Sequence, residues 1–299
     1  MRLDREICLG GRFNRKEVLG IRFNGHNIYP YIPTGARLYV SGEFYNNKTI
    51  TEVNVIVTTN HDNLNMMFYG CDKLETIRNM DKWDTSNVKG MRDMFAGCHA
   101  LTSVDLSNFN TSKVFGENMN SMFYGCKSLT SLDLSSFDTS NVTDMSDMFG
   151  YCTNLTSLDL SSFDTQNIAD MGSMFMRCNN LTELDLSNFN TSCVKKMYGM
   201  FSGCSNLEIL DIRNFDTSSV NSIDDMNLMF NMCYKLHTLR LDNCSNDTIH
   251  KIINSYSFPT DKINGITRKI YIKQENIGNL TAPTNWIFVD SDGNEIITN

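Results

Sequence analysis

Two hydrophobic rhythms alternate along this chain, and the pair recurs about every 26 residues. Residues 129–152 show it most clearly, as LTSLDLSSFDTSNVTDMSDMFGYC. The first half is L-x-x-L-x-L, with Leu129, Leu132 and Leu134 followed in later units by Leu155, Leu158, Leu160 and Leu181, Leu184, Leu186. Its closing L-x-L has period two and predicts a short strand with one face buried. The second half places Val142, Met145, Met148, Phe149 and Cys152 at i, i+3, i+6, i+7 and i+10, a stripe that predicts a helix of nearly three turns. Between the halves stand an aromatic and a polar turn, Phe137-Asp138-Thr139-Ser140 in this unit. Such residues close an Asx turn and cap the N–H groups of a following helix.

The Met-Phe pair falls at Met67, Met94, Met122, Met148, Met174, Met200 and Met229, in steps of 27, 28, 26, 26, 26 and 29 residues. A fixed period in this range predicts a solenoid, because one coil cannot bury its own apolar stripe and its neighbours must supply the other wall. Phe109, Phe137, Phe163, Phe189 and Phe215, with Trp83 in the first copy, are expected to stack as the core spine. Four residues after each methionine comes a cysteine, from Cys71 to Cys233. Recurrence at one phase predicts buried free thiols, since unpaired Cys behaves as a small hydrophobe.

The ends differ from the middle. Ile50, Val53 and Val55 predict a degenerate opening strand, and Leu236, Leu239 and Leu241 an eighth. A helix in SNDTIHKIINSYS, a ninth strand in RKIYIK and a hairpin around Asp292-Gly293 are expected to close the stack. Extra residues near Gly116 and Asn221 should bulge on the Met-Phe side. Near the start, Asn24-Gly25 between two alternating runs is a type I′ hairpin signal, and ARLYVSG predicts a further strand. The chain divides accordingly into an N-terminal β module at 1–47, a repeat solenoid at 48–244 and a capping module at 245–299. The fold class is an α/β solenoid, with a parallel sheet on one face and short helices on the other.

Composition narrows the function. At 41% hydrophobic residues the chain can fill a continuous core, which excludes disorder. Residues 1–60 hold eight Lys/Arg against five Asp/Glu, and the remainder 18 against 29, so the body carries a net charge of −11. An acidic body argues against nucleic acid. No stretch approaches the roughly 20 apolar residues that span a bilayer, and the charged start MRLDREICLGGRFNRKEV predicts no secretory signal. No C-x2-C pair, glycine-rich phosphate loop or repeatable His partner occurs. The expectation is no catalytic residue, no metal, no cofactor and no enzyme activity.

The block LDLSSFDTSNVTDMSDMF resembles the BspA-like leucine-rich repeats of bacterial surface proteins, in a 26-residue variant, across roughly residues 50–244. The resemblance implies an open right-handed leucine-rich stack that binds or adheres rather than catalyses. A second, shorter resemblance links ICLGGRFNRKEVLGIRFNGHNIYP to a β motif at the start of bacteriophage tail and fibre proteins. It implies a virion component in host attachment, assembled in the host cytoplasm. The alternatives are a bacterial cell-surface adhesin and a structural decoration of an assembly. KIYIKQENIGNLTAPTNWIFV resembles the closing module of similar repeat proteins.

Two regions could carry binding. Between the buried leucines stands a column of Asp105, Asp133, Asp159, Asp185 and Asp211, ending in Arg240. Parallel strands lie about 4.8 Å apart, and carboxylates at that spacing repel by about 1 kcal/mol even in water. The column is either a solvated acidic face or a site for a cationic or hydroxyl-rich ligand, a host-surface protein or a glycan; a regular column does not wrap calcium. The hairpin residues Phe23, Asn24, Gly25, Ile28 and Tyr29 form a candidate anchor to other virion or surface proteins.

Overall fold

The Met-Phe half of each unit folds as consecutive tight turns, and the helix that its spacing predicts does not form. This computed structural model describes residues 41–255, 257–263 and 265–297, with the strand backbone at 22–23, 26–27 and 37–38. In the unit around Met148, the N–H groups of Met148, Gly150 and Cys152 donate three residues back, to Met145, Asp147 and Phe149, at 3.2, 2.9 and 3.1 Å. The alternate N–H groups leave the coil. Met145, Asp147, Phe149 and Tyr151 donate to Asp170, Gly172, Met174 and Met176 of the next coil at 3.0, 2.9, 3.0 and 2.6 Å. Positive φ recurs twice per unit, just before the methionine (Asp147, 57°) and just before the cysteine (Tyr151, 61°). Left-handed residues terminate an α-helix at once. A corner every three residues and a helix of 3.6 both bring i and i+3 to one side, so the apolar stripe reads alike for either.

The sheet is likewise confined to the two ends. Arg37–Leu38 (β3), Glu52–Ile56 (β4) and Thr76–Arg78 (β5) form a parallel three-stranded sheet. Ile209–Asp211 (β6), Thr238–Arg240 (β7), Arg268–Tyr271 (β8) and Trp286–Val289 (β9) form a parallel four-stranded one. The L-x-x-L-x-L segments of the four central coils, at 101–106, 129–134, 155–160 and 181–186, hold no strand. There the Thr156 N–H to Thr130 O bond, at 3.2 Å, is the one backbone link between coils among the described residues. Central coils are therefore pinned together at the turns and left unlaced at the leucines.

Three side-chain columns complete the pinning. The phenylalanines of the Met-Phe pairs, rather than those of the polar turn, form the continuous ring stack. Phe68, Phe95, Phe123, Phe149, Phe175, Phe201 and Phe230 follow one another at 5.5–6.1 Å between centroids. Phe109, Phe137, Phe163, Phe189 and Phe215 are buried as expected, but neighbouring rings in that column meet at Trp83–Phe109 (6.0 Å) and Phe137–Phe163 (6.5 Å). Full burial of one Phe stabilises by about 1.5–3 kcal/mol and stacking adds about 0.5–1.5, so burial dominates. Each repeated cysteine is a free thiol whose S–H donates to the previous coil's Phe carbonyl, as Cys152 does to Phe123 at 3.1 Å and Cys178 to Phe149 at 3.2 Å. The polar-turn threonines Thr85, Thr111, Thr139, Thr165 and Thr191 are buried and bond the next coil's backbone both ways, while Thr217 meets the Thr248 hydroxyl instead. Thr139 Oγ1 donates to Asp164 O at 2.8 Å and accepts from Asp164 N–H at 2.9 Å. The Asx turn itself forms as read, with Ser140 N–H donating to Asp138 Oδ1 at 3.0 Å.

The caps follow the sequence closely. Helix Asn246–Ile253 (α1) is opened by Ser245, whose hydroxyl accepts the Thr248 N–H at 3.2 Å. The chain ends in the expected hairpin, with Val289 bridged antiparallel to Glu295. Arg268, 1% exposed, donates to the carbonyls of Leu236, Tyr234 and Asp261 and lies under the Trp286 ring at 5.4 Å, tying three segments of the cap. At the other end, Arg22–Phe23 (β1) and His26–Asn27 (β2) pair antiparallel. The expected bulges carry Phe115, which is exposed, and a 3₁₀ turn at Ile223–Met226.

Candidate binding faces

On the leucine face each aspartate answers its own charge. Asp105 and Asp133 accept from the hydroxyl and N–H of the serine two residues on, at 2.6 and 3.1 Å in both cases. Asp159 and Asp185 accept the N–H groups of Ser161 and Ser187 at 2.9 Å. The serine bonds hold the carboxyls of Asp133 and Asp159 below the usual range, the hydroxyl contributing more than the N–H; at Asp185 the N–H contributes more. Sequence reasoning expected these residues to stand exposed between buried leucines, and Asp105, Asp133, Asp159 and Asp185 are exposed. It missed that they are Asx-turn residues first, a role visible in the D-x-S spacing.

The column changes character at its C-terminal end. Asp211 takes a two-pronged contact from Arg213 at 2.7–3.0 Å. Arg240 does not stand free: it pairs with Asp242 at 3.2 Å and lies over the Tyr271 ring at 4.9 Å. Beside this network a shallow depression of about 310 Å³ is lined by Asp185, Ser187, Asp211, Arg213, Asn214 and Asn243. Ile209, 53% exposed, shares the face. Of the hairpin residues, Phe23 lies in β1 opposite His26, while Asn24, Gly25, Ile28 and Tyr29 fall outside the described residues.

The turn face holds the groups that sequence reasoning passed over. The strongly exposed tyrosines, Tyr45, Tyr69, Tyr124, Tyr198 and Tyr234, all lie in turn segments. Tyr45 and Tyr69 stack at 5.4 Å, and Tyr124 meets Tyr151 at 5.3 Å. Near them Asp147 is half-buried, and burial followed by the charges of Asp170, Asp144 and Asp93 pushes its pKa up to about 6. Lys196 pairs with Asp170 at 3.1 Å. Among the described residues no group of three or more His, Cys, Asp or Glu could hold a metal ion, and no helix is long and apolar enough to cross a membrane. For Tyr69 and Tyr124 the signal was their place after the Met-Phe pair, a position that changes from unit to unit while the pair itself does not.

Stacked coils built on leucines, with parallel strands at both ends and faces of repeating polar groups, define a leucine-rich solenoid. The chain belongs to the family described as "Mycoplasma protein of unknown function, DUF285", whose sequence profile matches residues 39–157 and again residues 147–257. No curated protein matches the chain. Two solved structures show similarity at 15% identity and a TM-score of 0.21. One is a leucine rich cell surface protein from Faecalibacterium prausnitzii A2-165, with 81% of this chain and 90% of that one covered. The other is a leucine-rich repeat protein from Bacteroides ovatus ATCC 8483, with 73% and 86% covered. At that score neither superposes on the whole chain.

Proposed function

We propose that this chain is a non-enzymatic binding scaffold displayed on a bacterial cell surface. The observation that carries the reading is the set of parallel columns. Coil after coil repeats one buried set of Leu, Phe, Met, Cys and Thr, so the exposed positions form long rows free to vary without cost to the core. Such rows suit a macromolecular partner better than a small substrate, which needs a concave pocket. Two depressions among the described residues, of about 310 and 360 Å³, are wide open to solvent.

The setting at a bacterial surface is preferred to the virion for a specific reason. The phage resemblance rested on residues near the N-terminus, which lie outside the matched spans of the family. The surface reading rests on the repeats, which those spans contain. Antibodies against the repeat region test it on intact cells of the encoding organism. Labelling without permeabilisation is expected; signal confined to the cytoplasm or to phage particles would overturn the proposal.

A further inference from the structure

The corner just before each repeated cysteine has positive φ. Gly70, Gly97, Gly125 and Gly203 fill it in four units, at 69, 76, 72 and 80°, and glycine takes that conformation without a Cβ penalty. Two adjacent coils carry Tyr151 and Arg177 there instead, at 61° and 57°, and Met232 closes the series at 59°. Bulky side chains at neighbouring corners that the fold elsewhere gives to glycine store strain, and stored strain points to a use. The following coils make room for the row. Tyr124 lies 3.1 Å from where a Cβ on Gly150 would stand, and Arg177 Cγ lies 2.9 Å from where one on Gly203 would stand. Tyr124 meets Tyr151 at 5.3 Å, and the Arg177 guanidinium lies over the Tyr151 ring at 5.7 Å. What the row lacks is an anion. Arg78, Arg92, Arg213 and Arg240 each pair with a carboxylate, and Arg268 is buried against carbonyls. Arg177 is exposed, and among the described residues its guanidinium makes no hydrogen bond or ion pair.

We propose that Arg177, resting against Tyr151 and flanked by Tyr124, anchors a partner protein that presents a single Asp or Glu carboxylate beside an apolar side chain. The proposal names a partner for the scaffold proposed above and rests on that reading. A carboxylate accepts both prongs of a guanidinium, and the contact with Tyr151 leaves those prongs unpaired. The apolar neighbour covers Tyr124, which is 37% exposed and need offer only its outer rim. Arg and Tyr are the residues that most often dominate the energy of protein interfaces. Charge selects among anionic partners. Residues 61–299 carry a net charge of −11, which repels a polyanion at long range. One carboxylate on an otherwise uncharged or basic segment escapes that repulsion and meets the guanidinium at short range.

The test pans a display library of random short peptides on the immobilised full chain and titrates fluorescent copies of the retained peptides by anisotropy. Retained peptides should share an Asp or Glu beside an aliphatic or aromatic residue. Arg177→Gly should weaken them about tenfold, the loss of one charge-assisted pair. Arg78→Gln removes the same charge from an arginine already paired with Glu52 and should leave binding unchanged. Glycine stands at this corner in four other units, so Arg177→Gly should unfold at a urea concentration no lower than the parent's. No retained peptide, retained peptides without a shared carboxylate, equal binding by Arg177→Gly, or a lower urea midpoint for that variant would each overturn the proposal. Binding of polygalacturonate that Arg177→Gly abolishes would overturn it in favour of an anionic glycan. Peptide binding is read on the purified chain and surface labelling on cells, so either proposal can fail alone.

Discussion

Cysteine carries a packing role here that its chemistry would not suggest. Burial pushes the Cys152 and Cys233 thiols up to about 12, so neither is a nucleophile at neutral pH. Cys193 is exposed. Maleimide labelling of the native chain, mapped by peptide mass, should modify Cys193 quickly and Cys152 only after denaturant is added. Asp147 gives a second, sign-specific expectation. Its folded pKa lies above its unfolded value, so the folded state binds the extra proton. The resulting stability is fully present below about pH 4 and is lost as pH rises through about 6. The serine-bonded carboxyls run the other way, losing stability as pH falls through their depressed values. Unfolding midpoints of the parent and Asp147→Asn should therefore diverge between pH 4 and 7, the parent declining relative to the variant. Parallel curves would remove Asp147 from the pH response.

One coil is held to the next mainly through turns. Thr139 illustrates how a short polar side chain does this, because its hydroxyl satisfies both the carbonyl and the N–H of Asp164. Thr139→Val keeps the shape and leaves two partly buried backbone groups of Asp164 without the hydroxyl, which should cost about 1–3 kcal/mol. Urea unfolding of the variant measures the loss, and a change under 0.5 kcal/mol, about the scatter of surface substitutions, would show that water replaces the hydroxyl. The turn half also explains why a helix was expected and not found. Val142, Met145 and Met148, like Phe149 and Cys152, satisfy an i, i+3 rule that serves both structures. The deciding bonds from Asp147 and Tyr151 reach 25 residues ahead, to Gly172 and Met176, and no local window contains them.

Along the whole stack, each unit meets only its neighbours, so length should be adjustable in whole units. Deleting residues 153–178 removes one 26-residue period and joins Cys152 to Asn179 in phase. Circular dichroism and sedimentation should report a folded, shorter particle, whereas deleting 153–165 alone should abolish cooperative unfolding because it joins halves of unlike period. Equal folding of the two variants would mean that the columns do not govern the register. Both caps would remain, including the Arg268 tie to Leu236, Tyr234 and Asp261.

The periodic residues were enough to determine the stack of coils, helix α1, the terminal hairpin and the free buried thiols, because each depends on spacing or short-range capping. The strand they predicted in every unit forms only towards the two ends. Alternation in L-x-L also marked Asp105, Asp133, Asp159 and Asp185 as exposed positions between buried leucines, without any knowledge of neighbours. Tertiary structure alone decided that the central coils are laced at the turns and not at the leucines, and which phenylalanines stack. It also set Tyr45 on Tyr69 and Tyr124 against Tyr151. Those outcomes rest on contacts between residues a full period apart, where the choice among competing hydrogen bonds belongs to the stack and not to any one coil.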